Sequence, residues 1–247
     1  MTLRETEYVT LSTNAGPMRA AVFSPAAKGR WPGVVLFSEI FQITAPIRRT
    51  AAFLAGHGFR VLVPEVYHEF LAAGTVLGYD TAGADEGNRL KYAKHLDSYD
   101  ADAAAALDWL RGHPEGNGRA GAFGVCLGGH LALRAALQPE CSGAVCFYAT
   151  DVHGGTLGAG KKDDSLARLG DIRGETMFVW GRQDPHIPAE GRAKIYAALG
   201  SAGVNFTWHE VNAAHAFLRD EGLRYDAELA HQFLALAVAS LRRSLAG

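Results

Sequence analysis

Short apolar runs alternate with helical stretches along most of this chain, and that alternation limits what it can fold into. Residues 33–37 (GVVLF), 59–63, 119–123, 143–147, 176–180 (TMFVW) and 204–208 read as strands. Residues 46–55, 85–95, 100–111, 127–137, 189–199 and 225–241 read as helices. A helix between successive strands is the connection that parallel pairing needs, and it covers the sheet on both faces. Ahead of the alternation, residues 8–11 and 18–23 are extended runs around Asn14-Ala15-Gly16-Pro17, which reads as a hairpin turn. The expectation is an α/β fold with a mostly parallel central sheet, helices on both faces and an N-terminal antiparallel hairpin. No linker, repeat or composition shift divides the chain, so residues 1–247 are expected to form one domain. Residues 67–83 are glycine-rich and poorly periodic, and read as a lid or a surface loop.

Composition removes several function classes. A compact chain of 247 residues buries roughly 70–75% of its unfolded surface, so no disulfide or metal staple is required. Lysine plus arginine number 24 against 26 aspartate plus glutamate. The resulting net charge of −2 gives no electrostatic basis for binding nucleic acid or an anionic membrane. The cysteines are Cys126, Cys141 and Cys146, an odd count that forms no disulfide framework and suits a reducing compartment. The N-terminal residues lack an apolar signal region, and the longest apolar helical stretch, 233–239, is far short of the ~20 residues that span a bilayer. A cytoplasmic protein without membrane partners is expected.

The chemistry concentrates at Gly124-Val125-Cys126-Leu127-Gly128-Gly129, where the strand 119–123 turns into the helix 127–137. Glycines two before and two after the cysteine permit a tight, strained strand-to-helix turn. The apical side chain then points away from the sheet, beside a helix N-terminus that favours a thiolate. The N–H of Leu127 faces the same place and supplies half of an oxyanion hole. Cys141 and Cys146 lack this setting and read as buried structural thiols. A cysteine nucleophile needs a base and a group to orient that base. In a sheet with such an elbow the order along the chain is nucleophile, acid, histidine. His130, His153, His186, His209 and His231 also follow the cysteine, but His215 lies between the last strand and the last helix, in the expected place. Asp184, in Gly181-Arg182-Gln183-Asp184-Pro185, directly follows the strand 176–180 and is the candidate acid. An Asx-turn before proline is a compatible second role for it.

With these residues placed, the chain resembles the dienelactone hydrolase family of the α/β-hydrolase fold, from about Met18 to the last helix. The resemblance rests on Phe37-Ser38-Glu39-Ile40-Phe41, the Gly-Val-Cys-Leu-Gly-Gly elbow, Gly181-Arg182-Gln183-Asp184-Pro185 and His215-Ala216-Phe217-Leu218-Arg219. It implies that Glu39 takes part in generating the thiolate when substrate binds, and that the N–H of Ile40 is the second oxyanion donor. It implies arginines that hold a substrate carboxylate. Arg219 matches one of them, Arg89 is taken as the second, and Tyr148 as a pocket residue. Ser38 and Gln42 depart from the family's usual glutamine and glycine. The implied activity is hydrolysis of a small-molecule lactone or ester, with no metal and no cofactor, by a monomer or small homo-oligomer. A general carboxylesterase or thioesterase is the alternative, as is a non-catalytic fold used for binding or redox sensing. A glutamine amidotransferase also has a Gly-x-Cys-x-Gly elbow, but here His113-Pro114-Glu115 precedes the cysteine, the wrong order.

Overall fold

A computed structural model of the protein describes residues 1–246. The N-terminal hairpin forms from β1 (Glu7–Thr13) and β2 (Gly16–Phe23), which pair antiparallel with Thr13 opposite Gly16. The turn itself is therefore Asn14-Ala15, and Gly16, at φ 110°, already belongs to the strand. The remaining strands are β3 (Trp31–Phe37), β4 (Arg60–Pro64), β5 (Gly116–Val125), β6 (Cys141–Phe147), β7 (Glu175–Gly181) and β8 (Phe206–Val211). They make one eight-stranded sheet in the order β1-β2-β4-β3-β5-β6-β7-β8. β2 pairs antiparallel with β4, and every pairing from β4 to β8 is parallel.

The helices are α1 (Ala45–Gly56), α2 (Thr81–Ala93), α3 (Leu96–Gly112), α4 (Leu127–Ala136), α5 (Ala189–Ser201) and α6 (Ala227–Leu245). The β3–β5 register shows that they cover both faces. Gly33 is opposite Ala120, and Val34 is opposite Gly121. Consecutive pairs point to opposite faces of a sheet. A Cβ on Gly33 would strike Leu110 of α3 at 2.6 Å, whereas one on Gly121 would lie 3.2 Å from Leu245 of α6. The sheet is thus sandwiched, and β3, β4 and β5 are buried over most of their length, as their unbroken apolar runs require.

Several boundaries differ from the sequence reading, for local reasons. The last strand begins at Phe206 and not at Val204, because the Val204 N–H is still bonded to Leu199 O at the exit of α5. It runs on through His209 and Glu210, whose polarity hides an edge strand. α2 begins at Thr81, capped by Asp80 Oδ1, which accepts from the Gly83 N–H at 2.8 Å. Residues 67–80 contain no strand or helix and run as an irregular, mostly exposed strap into α2. Tyr67 is fully buried there and donates to Gly87 O at 3.0 Å. Among the described residues no helix is long and apolar enough to cross a membrane.

Candidate active site

The five strands β3, β5, β6, β7 and β8 run parallel, so the loops after them gather at one edge of the sheet, where open α/β sheets place their sites. Cys126 sits between β5 and α4 with φ 59° and ψ −121°, a strained conformation for a non-glycine residue. The flanking glycines make the turn possible. A Cβ on Gly124 would lie 1.8 Å from Gly128 O, and one on Gly128 would lie 2.1 Å from Phe37 O. The Cys126 thiol is half-buried, whereas Cys141 and Cys146 are buried. Burial pushes the Cys141 thiol up to about 12 and that of Cys146 well above its usual value, so neither supplies thiolate near neutrality. Leu127 opens α4, where the first N–H groups have no intrahelical partner, and Ile40 lies in the loop after β3. Neither N–H is engaged by another group among the described residues.

The loops after β7 and β8 bring Asp184 to His215. His215 Nδ1 and Asp184 Oδ2 are 2.6 Å apart, both side chains being buried, and a carboxylate acceptor requires the proton on Nδ1. The second oxygen, Asp184 Oδ1, accepts from the His186 N–H at 2.8 Å, which is the turn expected before proline. Burial works against charge on His215. The charge of a Cys126 thiolate and hydrogen bonds with Asp184 and Cys126 outweigh it and raise the imidazole to about 10. An imidazole whose proton affinity is raised in this way is a ready acceptor for a proton from its cavity neighbours. Asp184, His186 and His215 could also offer three metal-ligand atoms within 4.8 Å of one another. Two ligands of one zinc ion at bonds of about 2.0 Å stand roughly 3.3 Å apart, so the 2.6 Å contact fits a shared proton better than a shared ion.

Glu39 lies in the loop after β3 and is buried, with Arg219 Nη1 at 3.7 Å and Tyr79 donating to Oε2 at 2.9 Å. Burial raises its carboxyl above the usual range; Arg219, Tyr79 and His215 act in the opposite direction. Glu39, Cys126, His215 and Arg219 all line one cavity of about 470 Å³, together with Ile40, Phe41, His186 and Arg224. Its far wall is a polar network the sequence reading missed. Lys91 Nζ donates to Asp151 Oδ2 at 2.9 Å, and Tyr92 and Thr156 each donate to Asp151 Oδ1 at 2.9 Å. Thr150 joins that wall to the elbow, its N–H donating to Cys126 O at 3.3 Å.

Two expected substrate contacts fall elsewhere. Arg89 points away from the cavity, exposed and paired with Glu86 at 2.7 Å. The cavity face of α2 is Ala84, Asn88, Lys91 and Tyr92, spaced i, i+4, i+7, i+8, and Arg89 lies one residue, about 100°, off that stripe. Tyr148 is fully buried with φ 35°, and its ring packs edge-on against His215 at 5.0 Å and Phe217 at 5.5 Å. It backs the imidazole and borders a small hollow behind Glu39, but does not line the main cavity. The sequence reading singles out neither Tyr79 nor the Lys91–Asp151 pair. A heptad-like count along α2 could have singled out Lys91 and Tyr92, whereas nothing local marks Tyr79.

The dienelactone hydrolase family model matches residues 18–245. A Saccharomyces cerevisiae protein named "Putative carboxymethylenebutenolidase" is 39% identical over 256 residues, covering 99% of this chain and 93% of the yeast one. A Pseudomonas putida carboxymethylenebutenolidase is 28% identical over 240 residues, covering 96% and 94%. Among solved structures, a dienelactone hydrolase-like promiscuous phosphotriesterase from metagenomic libraries superposes with a TM-score of 0.77 at 21% identity over 99% of each chain, a likeness of fold. Matched over nearly its whole length by that family model and by the yeast relative, the chain belongs to the dienelactone hydrolase family of α/β-hydrolases, and is a hydrolase of the carboxylic ester class.

Proposed function

We propose that the protein opens a lactone or small carboxylic ester with Cys126 as the nucleophile. The observation that carries this reading is the half-buried thiol on a strained elbow, sharing one cavity with an imidazole that Asp184 holds at 2.6 Å. The Cys126 Sγ attacks the carbonyl carbon, and its proton resides on His215. The oxyanion takes the N–H groups of Leu127 and Ile40. When the tetrahedral adduct collapses, the ring C–O bond breaks and His215 returns the proton to the departing oxygen. The product at this stage is an acyl thioester on Cys126. His215 then takes a proton from water as the water oxygen attacks the thioester carbonyl, and the C–S bond breaks to release the acid.

The same reading gives Arg219 and Glu39 linked roles. A planar guanidinium at the cavity wall suits a substrate carboxylate, which it can hold by two parallel hydrogen bonds. A substrate that takes Arg219 removes one of the partners of Glu39. A buried carboxylate freed in this way has a raised proton affinity and is a second acceptor for the thiol proton. Support for an acidic lactone comes from the carboxymethylenebutenolidase names of the yeast and Pseudomonas putida relatives. The test compares wild type and Cys126→Ala on dienelactone and on p-nitrophenyl acetate, with mass spectrometry for the trapped acyl-enzyme. Turnover of both substrates should vanish in the variant, and the acyl mass should map to Cys126. Retained turnover, or an acyl group on another residue, would discard the cysteine mechanism.

A further inference from the structure

The polar wall made by α2 and the loop after β6 takes no part in the chemistry of Cys126 and His215, yet its hydrogen bonds follow one pattern. Asp151, at φ 67°, holds a left-handed turn that the Thr156 N–H closes on Asp151 O at 3.2 Å. Its carboxylate takes Lys91 Nζ on Oδ2 and the hydroxyls of Tyr92 and Thr156 on Oδ1, each at 2.9 Å. Tyr92 and Thr156 have thereby committed their single hydroxyl protons to Asp151, so toward a ligand they can only accept. Lys91 can only donate. One of its three N–H bonds serves Asp151, and the ammonium rests 4.4 Å from the centroid of the Tyr92 ring, which leaves a donor free. All four residues line the cavity. The Lys91–Asp151 pair is buried and neutral as a unit. Arg219 is engaged elsewhere, beside Glu39 and over the ring of Tyr79.

We infer that this wall is a subsite for a neutral hydroxyl, and that the substrate is a lactone or ester carrying a hydroxyl group apart from its reacting carbonyl. The inference deepens the proposed function and rests on it. A hydroxyl is the smallest group that answers both halves of the wall: its oxygen accepts from Lys91, and its proton goes to Thr156 or Tyr92. A methyl group in its place would leave the Lys91 donor covered and unpaired. A carboxylate would gain Lys91 but lie against Asp151 and against two oxygens with no proton to give. Space agrees, because a cavity of about 470 Å³ encloses ligands well beyond a bare lactone ring.

The experiment uses γ-butyrolactones with an ω-hydroxyalkyl side chain of one to three carbons, each paired with the lactone in which a methyl group replaces the hydroxyl. At the best-fitting chain length the hydroxy lactone should exceed its methyl partner in kcat/KM by about 10-fold or more. Lys91→Met should reduce that preference to about 2-fold or less, lowering turnover of the methyl partner far less than that of the hydroxy lactone. Because Lys91→Met also strips Asp151 of its charged donor, Tyr92→Phe and Thr156→Val provide the same readout with the ion pair in place, and at least one of them should reduce the preference several-fold. Lactones with an ω-carboxy group are compared in the Arg219→Ala protein, where they should remain below the hydroxy lactones. Equal kcat/KM for hydroxy and methyl partners at every chain length would overturn the inference. So would a preference that a folded Lys91→Met protein retains, or carboxy lactones ahead in Arg219→Ala, which would make the wall an anion site. Methyl lactones opened without any preference would remove the subsite alone; a protein that opens none of these lactones would remove the proposed function, and the subsite with it.

Discussion

The interaction that decides the chemistry is between single residues, and Asp184 shows how little it depends on bulk properties. Its carboxylate makes one hydrogen bond to His215 and one to the His186 N–H, so it orients the imidazole and closes its own turn together. Asp184→Asn keeps the size and the turn acceptor. It removes the charge that steadies the imidazolium, and an amide placed there can present N–H to Nδ1, which forces the wrong tautomer. Turnover should fall by roughly 10² to 10⁴, the range for acids in such triads. Circular dichroism should be unchanged. A steady-state assay giving near-wild-type turnover would show that another group holds His215. This residue was legible in the sequence because the order nucleophile, acid, histidine follows from the connectivity of the sheet. Tyr79 was not, since its importance depends on a strap folding over Phe41 and nothing in Leu77-Gly78-Tyr79-Asp80 announces that.

Among the elements, the connection from β6 to β7 is held by two buried carboxylates, and it should be the part of the fold most sensitive to acid. Asp151 is bonded to Lys91 of α2. Asp163 lies 3.2 Å from His130 Nε2 and 2.8 Å from Arg134 Nη1, both on α4, while His130 Nδ1 lies 2.8 Å from Thr150 O. Burial alone would raise both carboxyls. The Lys91 charge and hydrogen bond depress Asp151 to about 2, and the His130 hydrogen bond and charge, with Ser165 and Arg134, depress Asp163 to about 2. Each folded value lies below the ordinary 3.8, so the stabilisation is fully present above about pH 4 and is lost as pH falls through about 2. Asp163→Asn should lower stability at pH 7 by about 2 kcal/mol and flatten its decline between about pH 4 and 2. Urea unfolding at several pH values measures both; a decline as steep as wild type would assign the acid sensitivity elsewhere. Elements were the best-read level of the sequence. The strand–helix alternation and the hairpin are where the apolar runs placed them, because burial on two faces imposes unbroken runs. Helical phase was the weak point. Arg89 has the right charge on the right helix, but the Gly87 contact that seats α2 against Ile40, with a would-be Cβ 2.6 Å from Ile40 O, sets which face looks inward.

At the scale of the whole molecule the charge is the wrong sign to attract an anionic substrate, so any preference for one must be local. The chain carries a net −2, yet the cavity is lined by Lys91, Arg219 and Arg224 against Glu39 and Asp151. Lys91 is paired with Asp151 and Arg219 stands beside Glu39, so little field escapes beyond the mouth. Long-range steering is screened within about 8 Å at physiological ionic strength, while a contact inside the cavity is not. Raising the salt from about 0.02 to 0.3 M should therefore lower kcat/KM for a carboxylated lactone by no more than about 3-fold. Arg219→Ala acts on the contact itself. Losing a charge-assisted bidentate hold costs roughly 2–4 kcal/mol, about 30- to 1,000-fold in kcat/KM for dienelactone. p-Nitrophenyl acetate has no carboxylate to lose, so the same variant should change its turnover far less than that of the lactone, through Glu39 alone. Measured side by side, equal losses on the two substrates would make Arg219 a support for the cavity wall and favour a general esterase. A large loss confined to the acidic lactone would place specificity in this one guanidinium, on a molecule whose overall charge opposes it.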